Sequence, residues 1–243
     1  MRYKAVILSM LFFLSIESKE KEPTSAEWAA LNQSVGNRLI RSGNPFAGCT
    51  GNSATPACKE LLKIFQNPYL IQQHPWGTQS IGWMNAWTTA ASPFVIEAQK
   101  TEDIVAAVNF AREHQLKLVV KGAGHDYLGR SCAPDSLLIW THNMRTISLH
   151  KAFIPARAPP STKGTQAVSA QAGVRWIEAY DAVTTKNKRY VQGGGCATVG
   201  VAGGFLQGGG FGNFSKRYGT GAGNLIEAEI VLANGQVVVA SEY

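Results

Sequence analysis

The chain has 243 residues, of which 45% are apolar and 16% charged; this is ordinary for a globular protein and excludes disorder over most of the length. The formal net charge of +7 comes from lysines and arginines scattered along the chain, and the densest run, residues 186–189, holds three of them. Proteins that bind nucleic acid normally cluster such residues, so we read this run as a solvated turn and expect no nucleic-acid partner.

The first residues are typical of an export signal. Residues 1–4 carry two basic side chains, residues 5–16 are mainly apolar, and residues 17–20 are mainly polar. The apolar run of about 12 residues is shorter than the roughly 20 that a membrane-spanning helix needs. We therefore predict a signal peptide over residues 1–18, a secreted or periplasmic protein, and no stable membrane span after its removal. A retained membrane anchor is the alternative.

The four cysteines form a close pair and two single residues. Cys49 and Cys58 lie in one loop and are near enough in sequence to close a disulfide, which export would permit. Cys132 and Cys196 each lie in a glycine-rich stretch, and a second bridge between them is the alternative to separate roles. No metal site is expected, because the sequence lacks Cys-x-x-Cys and His-x-x-x-His spacing.

Residues 19–87 form a predicted lead of helices and loops. Ser25 can cap a helix that runs to about Arg41. Its apolar face would carry Trp28, Leu31, Val35 and Leu39. A short helix is predicted over about residues 58–66, and residues 67–91 have no clear period.

Alternating strands and helices are predicted from residue 93 onward. Residues 94–98, 116–120 and 136–140 read as strands, and Thr101 can cap a helix between the first two. A β-α-β unit places its ligand beyond the carboxyl end of a strand, where residues 121–131 lie.

In the second half, residues 166–171 read as a strand and residues 174–185 as a helix. Residues 225–239 alternate around Asn234-Gly235, which is a strong hairpin signal. The predicted fold class is α+β, with the helical lead followed by two α/β subdomains.

Two glycine-rich stretches each surround one nucleophile. Residues 121–131 contain His125, and residues 193–212 contain Cys196 among ten glycines. Glycine lets the backbone reach positive φ and approach a ligand closely. Neither stretch matches the Gly-Lys-Ser/Thr of a P-loop or the Gly-x-Gly-x-x-Gly of a Rossmann site. A planar cofactor with a diphosphate explains them better than a packing seam between sheets, which is the alternative.

Both stretches resemble a known family. Gly-Ala-Gly-His-Asp-Tyr-Leu-Gly-Arg-Ser around His125 is similar to the diphosphate loop of flavoproteins in the vanillyl-alcohol oxidase superfamily, whose FAD-binding domain is called PCMH-type. Gly-Gly-Gly-Cys-Ala-Thr-Val-Gly-Val-Ala-Gly-Gly around Cys196, with Gly-Gly-Gly-Phe-Gly and Arg-Tyr-Gly after it, resembles the second signature of the berberine bridge enzyme-like branch of FAD-linked oxidoreductases. The resemblance implies that residues 88–243 form such a domain, with FAD clasped between the two subdomains.

In that branch a histidine binds the 8α-methyl carbon of the flavin and a cysteine binds C6, and His125 and Cys196 match these positions. The first bond needs a neutral imidazole and the second a thiolate, so Cys196 needs a neighbour that stabilises the thiolate or takes its proton. The resemblance implies an oxidoreductase that takes hydride from an alcohol or carbohydrate-like small molecule onto flavin N5 and passes the electrons to molecular oxygen.

The resemblance also assigns further cofactor contacts. The first stretch would hold the diphosphate through Lys121, Gly122, Ala123, Gly124, Gly129 and Ser131, with Asp126 hydrogen-bonding locally. The second would line the ring and the ribityl chain through Gly195, Gly200, Gly203 and Gly204. The pocket would be completed by Tyr218, Gly219, Asn224 and Ile230. Val199 matches a position that controls oxygen access, and its branched side chain favours an oxidase.

The chain also departs from the family pattern. Lys121-Gly-Ala-Gly-His replaces the common Arg-x-Gly-Gly-His, Phe205 stands where a histidine is often found, and Gly223 replaces the usual aspartate before Asn224. In complete relatives a substrate domain and a catalytic base follow the FAD-binding domain, so we expect both to be absent and identify no catalytic residue. The alternatives are a noncatalytic flavin-binding remnant or fragment and a secreted interaction module without a cofactor.

Overall fold

The computed structural model describes residues 22–49, 55–78 and 90–243. The predicted signal peptide and the predicted domain border at residue 87 lie outside these ranges. None of the helices in the described ranges is long and apolar enough to cross a membrane.

The N-terminal lead contains short elements. They are α1 (Ser25–Ser34), β1 (Leu39–Arg41), α2 (Pro56–Phe65) and α3 (Pro68–Ile71). Thr24 rather than Ser25 caps α1, through a capping box with Glu27. The expected extension of this helix to Arg41 is wrong, because Gly36 and Asn37 have φ values of 63° and 61°, which end the helix before β1.

A disulfide between Cys49 and Cys58 joins α2 to the turn before it, as the sequence predicts. Cys132 and Cys196 are both free, so the alternative of a bridge between them is wrong.

The first subdomain is a four-stranded sheet. It contains β1, β2 (Phe94–Glu97), β3 (Lys117–Lys121) and β4 (Ser136–Trp140), with α4 (Thr101–Glu113) between β2 and β3 in sequence. The strand order is β1-β2-β4-β3; β2 and β3 each pair parallel to β4, and β1 pairs antiparallel to β2. The predicted strands and helix are confirmed, but Thr101 is the first helical residue and Lys100 takes the N-cap position, so the expected cap is wrong. However, β2 and β3 are not neighbours, because β4 is buried at every position and takes the centre of the sheet.

The core lies on both faces of β4. Leu137 and Ile139 join α1 and α4 in one apolar cluster, whereas Leu138 and Trp140 lie in a second cluster with Cys132. This alternation follows from the pleat of a strand, which points successive side chains to opposite faces. The loop that follows β3 therefore begins on a rigid support.

The second half adds two antiparallel ribbons and short helices. The ribbons are β5 (Ile147–Phe153) with β6 (Thr165–Ala170) and β7 (Glu227–Val231) with β8 (Val237–Ser241); the helices are α5 (Trp176–Tyr180) and α6 (Ser215–Tyr218). A π-helical turn at Asp181–Lys186 continues α5. The predicted hairpin at Asn234-Gly235 is confirmed. The sequence missed β5, whose side chains are mostly polar or exposed. The α+β class is confirmed.

Candidate functional site

The first glycine stretch leaves the carboxyl end of β3 as a tight loop. Gly124 and Gly129 have φ values of 78° and 66°, which favour glycine. Asp126 accepts hydrogen bonds from Leu128 N–H at 2.9 Å and from Arg130 at 2.7 and 3.1 Å. The bond from Arg130 holds the pKa of this carboxyl below its usual value. The carboxylate is therefore used to close the loop.

The side chain of Lys121 is buried beneath that loop. Its Nζ donates to the carbonyl oxygens of His74 at 3.4 Å, Pro75 and Gly77 at 2.9 Å, and lies 3.7 Å from Sγ of Cys132. Burial lowers the pKa of Lys121 to about 8, against an opposing effect of Cys132. The ammonium group thus anchors the turn at residues 74–77, a role that the sequence does not indicate.

The second glycine stretch is fixed to the start of α5. Trp176 N–H donates to the carbonyl oxygen of Val199 at 2.9 Å, and Ile177 N–H donates to that of Ala197 at 2.9 Å. Gly193 lies against the indole ring of Trp176, where an added Cβ would come within 2.5 Å of a ring carbon. The start of the stretch is therefore held by packing and by backbone hydrogen bonds.

Four later glycines of the stretch have no such packing role. A Cβ added at Gly195, Gly203, Gly204 or Gly209 would meet no atom of the described residues within 4 Å. Within the described part of the chain these positions face open space, which leaves room for a further group.

The two stretches meet at Thr198. Its Oγ1 lies 2.9 Å from Nε2 of His125 and 3.5 Å from Sγ of Cys196. Gln72 supports this meeting point by donating from Nε2 to the carbonyl oxygen of Thr198 at 2.5 Å. Near the same place, an added Cβ at Gly200 would lie 3.5 Å from Cβ of Ala123. The fold thus brings together the two nucleophiles that the sequence singles out.

The surroundings of His125 set its protonation. Burial lowers the pKa of the imidazole, so the ring is neutral at neutral pH and keeps a lone pair on one nitrogen. Cys196 is exposed and free, so its thiol is accessible. One available nucleophile from each stretch therefore lies at this site.

The remaining predicted site residues lie further along the chain. Val199 packs against the core cluster around α5. Tyr218 ends α6, Gly219 follows with φ of 80°, and Nδ2 of Asn224 donates to the carbonyl oxygen of Tyr218 at 2.8 Å. Ile230 lies in β7 and is 42% exposed.

The first loop has unused donors that fit a diphosphate. Oγ of Ser131 is buried and has no hydrogen-bond partner among the described residues. In the same part of the chain, the amide N–H groups of Ala123, Gly124 and His125 donate no hydrogen bond to any residue that the structure describes. Successive free amides and a hydroxyl are the donors that phosphate oxygens accept. Together with the open space at the later glycines, these residues fit FAD.

Sequence reasoning missed Thr198 and Gln72. Thr198 lies inside the motif around Cys196, but the motif does not show that its hydroxyl reaches His125. Gln72 is 126 positions away from Thr198, and no local pattern connects the two.

The match to known proteins agrees with this geometry. Residues 92–241 match the family described as an FAD binding domain. The chain belongs to this family of FAD-binding domains, and its fold is that of VAO-type flavoproteins. The resemblance drawn from the two glycine stretches is confirmed.

Similar proteins include several fungal flavoproteins. An uncharacterized FAD-linked oxidoreductase of Arthroderma benhamiae is 32% identical over 91% of this chain and 42% of its own length. The VAO-type flavoprotein oxidase VAO615 of Thermothelomyces thermophilus is 33% identical over 90% of this chain and 40% of its own length.

A solved structure, that of the VAO-type flavoprotein MtVAO615 from Myceliophthora thermophila C1, superimposes with a TM-score of 0.78 at 28% identity. The superposition covers 93% of this chain and 43% of the MtVAO615 chain. The chain thus spans less than half the length of the relatives named here.

Proposed function

We propose that the chain holds FAD through two covalent bonds, one from His125 to the 8α-methyl carbon and one from Cys196 to C6. The observation that supports this is the approach of both side chains to one hydroxyl, that of Thr198, at 2.9 and 3.5 Å. The protein would then oxidise an alcohol or a carbohydrate-like small molecule, with molecular oxygen as the acceptor.

Each group of the site has a role in this proposal. Ser131 Oγ and the free amides of the first loop would hold the diphosphate, and the glycines that face open space would leave room for the ring. When bound, FAD supplies hydride acceptance at N5 and electron transfer to oxygen. Val199 would control oxygen access, and the name of the relative VAO615 agrees with an oxidase.

His125 and Cys196 act as nucleophiles in forming the two bonds. Each gives up one proton, from nitrogen or sulfur, as the new bond replaces a C–H bond. Molecular oxygen takes up the two electrons and two protons released for each bond and leaves as hydrogen peroxide. The lowered pKa of His125 favours this, because only the neutral imidazole has a free lone pair.

Export is a further part of the proposal. The basic and apolar start of the sequence predicts a signal peptide, and the disulfide between Cys49 and Cys58 is typical of an oxidising compartment. Two covalent bonds would prevent loss of the cofactor outside the cell.

The covalent bonds are tested with purified protein that is saturated with FAD and then precipitated with acid. We expect a yellow pellet from the parent, from His125→Ala and from Cys196→Ala, because one bond survives in each single variant. The double variant should give a colourless pellet. Peptide masses would locate the flavin, and Cys132→Ala serves as the control, because it removes the other free thiol. A colourless pellet from the parent would contradict the proposal.

The oxidation is tested by adding alcohols and carbohydrates to the loaded chain without oxygen. Bleaching of the flavin, followed by peroxide when air is admitted, supports the oxidase. Bound flavin that none of them reduces favours the alternative of a noncatalytic flavin-binding chain.

A further inference from the structure

Thr198 is placed to act on both nucleophiles at once. It is 2% exposed, so bulk water does not compete for its hydroxyl. Gln72, itself 5% exposed, fixes its backbone carbonyl. Gln72 therefore holds Thr198 in place through its backbone, and the hydroxyl is left to contact the two nucleophiles.

A hydroxyl has one proton to donate and can accept at the same time. If Oγ1 donates to Sγ of Cys196, it can accept from Nε2–H of His125. The lone pair of the imidazole then lies on Nδ1, and a thiolate is stabilised at sulfur. If Oγ1 donates to Nε2 instead, Nδ1 carries the proton and the sulfur is left as a thiol. The orientation of the Thr198 hydroxyl thus links the tautomer of His125 to the thiolate form of Cys196.

We propose that Thr198 is the positioning residue for flavin attachment. Its hydroxyl accepts from Nε2–H of His125 and donates to Sγ of Cys196, which prepares Nδ1 and the thiolate together. This inference rests on the proposed function, and its new element is the role of the Thr198 hydroxyl. Among the described residues, no hydrogen bond uses Nδ1.

Two variants separate the hydroxyl from the shape of the side chain. Thr198→Val keeps the shape and lacks the hydroxyl, whereas Thr198→Ser keeps the hydroxyl. Each Thr198 change is made in two backgrounds. In Cys196→Ala we measure the rate at which flavin attaches to His125. In His125→Ala we measure the rate at which it attaches to Cys196. We expect Thr198→Val to slow both attachments about tenfold, the size of a lost hydrogen bond to a charged or reacting group. Thr198→Ser should stay within about twofold of the parent.

Two further measurements need no flavin and use the chain from a riboflavin-starved host. Alkylation of Cys196 by iodoacetamide, with the buried Cys132 as internal reference, should slow about tenfold in Thr198→Val and not in Thr198→Ser. Nitrogen chemical shifts of His125 should show the Nε2–H form in the parent and a mixture of forms in Thr198→Val.

Parent-like attachment and alkylation in Thr198→Val would overturn the inference, and so would a Thr198→Ser variant as slow as Thr198→Val. A parent that carries no covalent flavin would instead overturn the proposed function. In that case the alkylation rate and the chemical shifts would still decide whether Thr198 prepares the two nucleophiles.

Discussion

Lys121 lies in the sequence motif of the cofactor loop, but its side chain contacts other parts of the protein. It stands where related flavoproteins commonly have an arginine before the histidine loop. Its ammonium group is surrounded by backbone carbonyls and by Cys132, and its pKa falls to about 8 because burial disfavours the charged form. A contribution of Lys121 to the cofactor would therefore come from its backbone rather than from its charge.

His142 should make the stability of the protein depend on pH. Burial, and then the guanidinium groups of Arg145 and Arg175, lower its pKa to about 4. The unfolded chain binds the proton near pH 6.5, so the unfolded state holds more protons between about pH 6.5 and pH 4. The free energy of unfolding is therefore expected to fall as the pH drops through this window.

The measurement is urea unfolding of the parent and of His142→Gln at several pH values in that window. Between pH 6.5 and pH 4, the free energy of unfolding of the parent should fall by on the order of 2 kcal/mol more than that of the variant. Asn143→Gln, an exposed and uncharged neighbour, is the control and should follow the parent. Equal losses in the parent and in His142→Gln would show that this imidazole is not the cause.

At the scale of elements, the second glycine stretch contains two kinds of glycine. Some pack closely against other side chains, and others have open space where a side chain would lie. Gly193 lies on Trp176, which is 2% exposed and cannot move aside easily. We expect Gly193→Ala to lower the free energy of unfolding by about 1–3 kcal/mol through overpacking.

Gly195→Ala is the matched control, since its added methyl group would meet no described atom within 4 Å. It should change the free energy of unfolding by less than about 0.5 kcal/mol. Chemical unfolding of the cofactor-free chain measures both variants. A Gly193→Ala variant as stable as Gly195→Ala would argue against the packing role.

At the scale of the whole molecule, the N-terminal lead takes part in the site. Gln72 follows α3 and contacts Thr198 and Arg175, at 2.5 and 3.3 Å. We expect Gln72→Ala to lower the free energy of unfolding by about 1–3 kcal/mol, because buried polar groups lose their partners. Covalent flavin should also attach more slowly, because Thr198 is no longer held.

Gln66→Ala controls for the loss of a glutamine side chain at an exposed helix end in the same lead. Unfolding in urea and the yield of acid-stable flavin are measured for both variants. Parent-like values for Gln72→Ala in both measurements would mean that the lead does not support the site.

The sequence by itself determined the features that depend on neighbours in the chain. The buried run at residues 136–140 predicts β4, and Asn234-Gly235 predicts the hairpin, because hydrophobic pattern and turn chemistry are local. The spacing of Cys49 and Cys58 predicts their bridge. The two glycine stretches likewise indicate the flavoprotein family.

Only the tertiary structure decided which distant groups meet. The sequence could not place β4 between β2 and β3, because strand order depends on which strand buries both faces. It could not end α1 at Ser34, since the apolar pattern continues past the turn at Gly36 and Asn37. The contacts of Thr198 with His125 and Gln72 likewise join positions far apart in the chain, and only folding brings them within hydrogen-bond distance.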